Sequence, residues 1–257
     1  MLNYMKSECY RTICGKSFYR AATALCGFIL GVNVLLALAG KYLPDFQYGT
    51  FRFSLNMYTG SLLNIVILGA VVPACLFWDD RKNGVMKNAI SYGIAREKIF
   101  LGKCIVAFAF TFLLLCVGLA LYVGSAWLLL PNPEWEPVRQ MLMGTLCALP
   151  AATASLISGI LLGCVVQKDM TAVLVWVSIY YLIPIAFFFI GMKLEWFARI
   201  FRWMPYSFLN MEVGAYLHRY DCIWDQAGGI ARCIAAGIVG IVIFIAVGLL
   251  TFRRKEM

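Results

Sequence analysis

Long uncharged apolar runs alternate with short charged segments along this chain. A run of roughly 17 to 25 apolar residues can cross about 30 Å of hydrocarbon as a helix. Six runs reach that length without any Asp, Glu, Lys, Arg or His, and they cover about residues 21–40, 61–78, 104–130, 141–166, 171–192 and 234–252. The pattern predicts an all-α integral membrane protein with six transmembrane helices.

The composition agrees with a membrane protein of one domain. Of the 257 residues, 62% are hydrophobic and 14% are charged, which is far from the composition of an ordinary soluble domain. No internal repeat is visible, and the linkers after the third and fourth runs are short. Residues 1–257 are therefore interpreted as a single transmembrane domain.

The distribution of Lys and Arg predicts the orientation. If the N-terminus is inside, fourteen of the 22 basic residues fall on the inner side and eight on the outer side. Short cytoplasmic loops hold such an excess, so both termini are predicted to be cytoplasmic. The net charge of +9 then belongs to loops that lie against anionic lipid head groups, and it does not indicate nucleic-acid binding.

Two segments outside the runs have helical patterns of their own. Before the first run, apolar residues at helical spacing predict an amphipathic elbow helix in the inner membrane interface: Leu2, Met5, Cys9 and Ile13. The outer loop at about 193–229 is rich in Trp and Tyr, which favour the head-group level. It is predicted to form short helices before the sixth span, and the pattern fits helices that lie in the outer leaflet as well as helices that dip into it.

Small residues recur at four-residue spacing inside three of the predicted spans. The pairs are Gly27 with Gly31, Gly159 with Gly163, and Ala236 with Gly240. Such pairs allow helix backbones to approach closely where lipid provides no hydrophobic driving force. They predict helix–helix contacts at these positions.

The predicted spans show no components for intramembrane hydrolysis by a Ser-His pair, an Asp pair or a zinc site. The spans contain no carboxylate or histidine that could act as an acid, a base or a metal ligand, and most of the ten cysteines fall within spans as small hydrophobes. The Gly15-Lys16-Ser17 triplet lacks the first glycine of a phosphate-binding loop. No catalytic residue, metal or cofactor is therefore predicted on this chain, and only Asn33 and Asn64 are candidates to line a polar cargo path.

The segment FWDDRKNGVMKNAISYGIAREKIFLGK, residues 77–103, is the most highly charged inner loop. Asn83 is predicted to cap a short helix from about Gly84 to Tyr92. That helix has an apolar face of Val85, Met86, Ala89 and Ile90, while Lys87 and Asn88 point away, and Gly93 permits the turn into the third span. The residues alone fit either a docking helix for a partner or a surface helix with a positive-inside cluster.

The loop resembles the signature of the type 2 ATP-binding-cassette (ABC) exporter permeases. That signature has an acidic residue after span two, a glycine-containing turn, a coupling helix, a Gly or Pro, an Arg that begins the next helix and a Lys at its membrane edge. In this chain those places fall to Asp80, Asn83-Gly84, Val85 to Ser91, Gly93, Arg96 and Lys103. The chain has Asp79-Asp80 where the family usually has Glu.

The resemblance implies a bacterial permease subunit in the cytoplasmic membrane. Two permease subunits, identical or different, would join two cytoplasmic ATPase subunits, and ATP and Mg would bind to the ATPases. The residues Asp79 to Lys103 would transmit ATPase closure to the spans, with Met86 and Ile90 inserted into the ATPase and Arg96 paired with Asp79 or Asp80. The implied cargo is a peptide, toxin or drug-like molecule, and a membrane enzyme or an ATPase-independent scaffold is the alternative.

Overall fold

The chain is helical throughout the residues described by a computed structural model, which are 2–43, 46–78, 80, 84–166, 168–210 and 222–254. The α-helices of at least five residues are α1 (Leu2–Cys14), α2 (Lys16–Tyr42), α3 (Phe51–Gly60), α4 (Leu63–Phe77), α5 (Val85–Ser91), α6 (Arg96–Leu129), α7 (Trp135–Val165), α8 (Asp169–Val177), α9 (Ile183–Gly191), α10 (Glu195–Phe201), α11 (Pro205–Leu209) and α12 (Gly229–Arg254). The prediction of an all-α protein is confirmed.

Five helical segments within those residues are long and apolar enough to cross a membrane: Lys16–Tyr42, Arg96–Leu129, Trp135–Val165, Asp169–Gly191 and Gly229–Arg253. This is the character of a multi-pass membrane protein. The helices begin earlier than the predicted spans because the uncharged runs mark only the apolar part of each helix. The backbone hydrogen bonds of each helix continue into the charged residues that flank the apolar run.

The second predicted span differs from the other five. It was predicted at about 61–78, but α4 has only 15 residues and is shorter than the roughly 20 that cross a bilayer. A separate helix, α3, precedes it, and the helix breaks between Gly60 and Leu63. Ser61 lies in the break and forms an isolated antiparallel bridge with Asn210.

The bundle is organised around α7, which has the largest buried share of the spanning helices. Close backbone approach is visible where α4 crosses it, because a Cβ on Gly69 would lie 2.5 Å from the carbonyl oxygen of Ala152. Members of two predicted small-residue pairs also contact other helices: a Cβ on Gly159 would lie 3.4 Å from the backbone of Ala70, and a Cβ on Gly240 would lie 3.0 Å from the Cβ of Ala154.

The first small-residue pair does not behave as predicted. Neither Gly27 nor Gly31 has an atom within 4 Å of the position that a Cβ would occupy. Helix α2 therefore does not use these two glycines to pack against the rest of the described chain.

The fifth predicted span is interrupted by a π-helical turn. Ser178–Leu182 forms this turn between α8 and α9. Pro184 follows it and lacks the N–H that would continue the hydrogen-bond ladder. Trp176 and Tyr180 stack with ring centroids 5.0 Å apart and are buried in the bundle, so this span is anchored at its π-helical turn.

Candidate functional site

A group of charged side chains is buried where α1, α4 and α6 meet. Lys103 on α6 is 1% exposed and forms ion pairs with Asp80 and with Glu8, the latter with 3.5 Å between Nζ and Oε1. The three residues come from separate parts of the chain. A buried charge of this kind requires partners because its desolvation is costly.

Arg11 connects the two carboxylates. Its guanidinium donates two hydrogen bonds of 2.7 Å to the two carboxylate oxygens of Asp80 and a third, of 2.5 Å, to Glu8. The planar fork of arginine suits this bidentate contact. The Tyr4 hydroxyl donates to Glu8 over 2.6 Å. We call these five residues, Tyr4, Glu8, Arg11, Asp80 and Lys103, the inner charge cluster.

The inner charge cluster is formally neutral and lies against the ring of Phe77. It contains two carboxylates and two cations. The centroid of the Phe77 ring is 4.3 Å from Lys103 Nζ and 5.8 Å from Arg11 Cζ. Such distances allow cation–π attraction. The cluster thus fastens α1 to the end of α4 and to the beginning of α6.

The electrostatics of α1 follow from this burial. Burial raises the pKa of the Tyr4 hydroxyl well above its usual range, and the neighbouring Glu8 carboxylate raises it further. For Arg11, burial opposes the charge, but the hydrogen bonds to Asp80 and the attraction of Glu8 outweigh it and raise the pKa. Both groups therefore keep their protons near neutral pH.

Glycine at position 102 permits the close approach of α1. A Cβ at this position would lie 2.9 Å from a ring carbon of Tyr4. Tyr4 in turn packs into the apolar core that contains Ile99 and Phe100. The polar cluster and this core therefore stabilise the same helix junction.

Glu8 and Arg11 are not among the site residues predicted from the sequence. The pattern predicts only an apolar stripe that lies in the membrane interface, whereas the buried face of α1 carries Tyr4, Glu8 and Thr12. Of the apolar stripe, Leu2 and Ile13 are exposed, whereas Met5 and Cys9 are partly buried against the same core as Phe100. A signal was present, because Glu8 is the only acidic residue before Asp45.

A short helix, α5, lies where the sequence predicts one. It begins at Val85, and Gly84 occupies the capping position with φ +66°, so the predicted cap by Asn83 is wrong in register; Asn83 itself lies outside the described residues. After the helix, Gly93 has φ +79°, a conformation that glycine adopts at little cost. The predicted turn at Gly93 is therefore present.

The apolar face of α5 packs on the protein itself. Met86 is only 5% exposed and belongs to the same core as Phe100, with Ala89 and Ile90 partly buried against it. Met86 is thus not available for insertion into a partner, contrary to expectation. The outward residues of this region are Asn88, Ser91 and Tyr92, and Tyr92 is 86% exposed.

The predicted role of Arg96 is only partly described by the structure. Helix α6 begins at Arg96, as the sequence predicts. Asp80, however, makes its ion pairs with Arg11 and Lys103, so these are the cations that neutralise it. Asp79 and the Lys87 side chain lie outside the described residues.

The two predicted path residues have different environments. Asn33 is fully buried, and its carboxamide donates to Ser125 Oγ at 2.8 Å and to the carbonyl of Tyr122 at 3.0 Å. Its Oδ1 accepts a 2.7 Å hydrogen bond from Ser54. Asn33 therefore joins α2, α3 and α6 and does not line an open path. Asn64, in contrast, lies on the wall of a pocket of about 210 Å³.

The chain matches no family model, and neither curated proteins nor solved structures yield a relative. The residues that the structure describes also contain no group of three or more His, Cys, Asp or Glu side chains that could hold a metal ion. The function must therefore be argued from the residues and their geometry.

Proposed function

We propose that the chain is the transmembrane permease subunit of an ATP-driven ABC exporter. The observation that carries the proposal is the position of α5, which is held between two helices whose ends are fixed by the inner charge cluster. Residues that resemble the family signature, Asp80 and Lys103, are the two that meet in this cluster. The cargo class is a peptide, toxin or drug-like molecule, by resemblance.

The arrangement suits the transmission of movement. Asp80 lies between α4 and α5, Lys103 lies on the first turns of α6, and both are tied to α1. A force on α5 from the cytoplasm would therefore act on the ends of α4 and α6 together and would carry α1 with them. Packed elements with satisfied charges move as units rather than deform.

In this proposal the chain crosses the cytoplasmic membrane of a bacterium six times, with both termini inside. Helices α3 and α4 together form the second crossing, and α1 is the elbow helix at the inner surface. The exposed side of α5, with Asn88, Ser91 and Tyr92, would contact the ATPase. Nucleotide and Mg would be bound by that ATPase subunit, and a second permease subunit would complete the complex.

The test is to purify the tagged full-length chain from its native membranes in mild detergent. We expect a soluble subunit with a phosphate-binding loop to co-purify in equal amount and to hydrolyse ATP. The Tyr92→Asp variant should lose this subunit, and Arg139→Ala, a change at an exposed residue before the fourth predicted span, should keep it. Purification of a stable chain with no ATPase would contradict the proposal and favour an enzyme or a scaffold.

A further inference from the structure

The break between α3 and α4 opens onto the pocket of about 210 Å³. Its walls come from α2, α3, α4 and α6, with Phe28 and Val32 on one side and Leu114 and Tyr122 on the other. None of the described residues that line it is charged. Interrupted spanning helices recur at the binding sites of transport proteins because the interruption leaves polar groups at membrane depth.

Two polar side chains on the pocket wall have no partner within the described chain. Ser61 lies in the break and Asn64 lies one turn further along α4, and neither side chain makes a hydrogen bond to any described residue. Asn64 is exposed. In hydrocarbon, an amide without a hydrogen bond is costly, so these two groups point to a ligand that supplies the missing partners.

The pocket determines the character of that ligand. The lining is apolar apart from a few polar groups, which favours an apolar body with a small hydrogen-bonding head. Because the described lining residues carry no charge, they favour a neutral molecule. Phe28 and Met57 at the pocket are 71% and 56% exposed, so the pocket opens at the outer surface of the bundle, where α2 would face lipid.

We propose that this pocket binds a neutral single-chain amphiphile from the lipid phase. Its hydroxyl or amide head would bond to Ser61 and Asn64, and the adjoining part of its chain would lie between α2 and α6. A volume of about 210 Å³ is below that of sites for whole drug-sized ligands, roughly 300–1,000 Å³, so the rest of the chain would remain in the bilayer. The inference stands on the pocket alone and does not require ATP-driven export.

The experiment uses the full-length chain in nanodiscs, without any ATPase, and a monoacylglycerol that carries a photoactivatable diazirine near its head. We expect labelling of peptides that contain Met57 to Leu68. Asn64→Leu and Ser61→Ala should each weaken labelling about fivefold to tenfold, the effect of losing about one hydrogen bond. Ser178→Ala, which changes a half-buried serine outside the pocket that bonds to the carbonyl of Leu174, should leave labelling unchanged.

Two further measurements keep the inference falsifiable. A fatty-acid probe of the same length, with a carboxylate head, should label the same peptides more weakly than the neutral probe. Equal labelling of the wild type and of both pocket variants, with unchanged thermal unfolding, would overturn the inference, because it would mean unspecific contact with lipid. Equal labelling by the charged and the neutral probe would also overturn the inference.

The same pocket could take a resident lipid or a transported molecule with this chemistry. Mass spectrometry of the purified wild type and of Asn64→Leu distinguishes them. A neutral amphiphile that co-purifies with the wild type in equal amount and is lost in Asn64→Leu is a resident lipid. If no amphiphile co-purifies but the probe still labels the wild type, the site is filled reversibly, as a transported molecule requires, and either result supports the site.

Discussion

Lys103 and Asp80 form an ion pair in which both side chains are almost completely buried, although 22 residues separate them in the chain. The residues between them include the whole of α5. The loop that contains α5 is thus closed at its base by an ion pair, and Glu8 and Arg11 attach the same pair to the N-terminal helix. Rearrangement of this base would require several hydrogen bonds to break together.

Replacement of Lys103 by Met should strongly destabilise the inner end of the bundle. The two carboxylates would keep Arg11 as their only cation within the cluster, and loss of one partner of a buried pair typically costs about 3–5 kcal/mol. Thermal unfolding in detergent should shift down, and α1 should become accessible to protease. The matched control is Lys98→Met, since Lys98 is exposed.

A second variant separates charge balance from loss of packing. In Lys103→Met combined with Glu8→Gln, one carboxylate and one cation, Asp80 and Arg11, remain as a pair. We expect part of the lost stability to return. If the double variant is as unstable as Lys103→Met alone, the side-chain volume of Lys103, rather than its charge, is what the junction needs.

The two asparagines should respond in opposite ways to removal of the amide. Asn33→Ala should lower the free energy of unfolding by about 1–3 kcal/mol, because it leaves Ser54 and Ser125 with fewer partners in a buried site. Asn64→Ala should leave it unchanged. Parallel denaturation of both variants in the same detergent checks this, and equal losses would refute the difference in their environments.

Glycine substitutions should distinguish real helix contacts from a sequence pattern. Gly69→Val places a side chain against the backbone of Ala152, and overpacking of this kind typically costs about 1–3 kcal/mol. At Gly27 a Cβ would have no neighbouring atom within 4 Å beyond its own helix backbone, so Gly27→Val should be neutral in the isolated chain. The thermal unfolding midpoints of the two variants test this difference. A large effect of Gly27→Val would indicate that a further helix packs against α2.

Substitutions in and beside α5 should separate folding from docking. Met86→Asp buries a charge in the protein's own core and should destabilise the chain itself, as should Phe100→Ala. Tyr92→Asp changes an exposed residue, so thermal stability should remain and only the co-purification of a partner should fall. A Met86→Asp protein of normal stability would show that this side chain can leave the core.

The five long apolar helices could be predicted from the sequence because length and lack of charge are local properties. The break between α3 and α4 could not, because α3 carries Arg52, Ser54, Asn56 and Thr59 and therefore continues no apolar run. These polar residues are tolerated since most of them face the bundle, where Ser54 meets Asn33 and Tyr122. Such pairings between distant residues are absent from any local pattern.

The candidate site shows the same limit. The position of α5 and the turn at Gly93 follow from local helix and glycine rules, and the family resemblance drew attention to Asp80 and Lys103. The partners of these residues on α1 could not be predicted, because the contact spans 69 residues between Arg11 and Asp80. The prediction that Met86 inserts into a partner is wrong because the sequence pattern of a short amphipathic helix is the same whether its apolar face packs on a partner or on the chain itself.

The π-helical turn at Ser178–Leu182 gives its span two different sides. A π turn holds more residues than an α turn, so one extra residue rotates everything after it by about 100° about the helix axis. Before the offset, Trp176 points into the bundle; after it, Phe188 and Phe189 point outward, 43% and 61% exposed. The half before the turn therefore packs on the bundle through a narrow face with Ala172 and Trp176, and the half after the turn presents phenyl rings to its surroundings on a face that the turn has rotated.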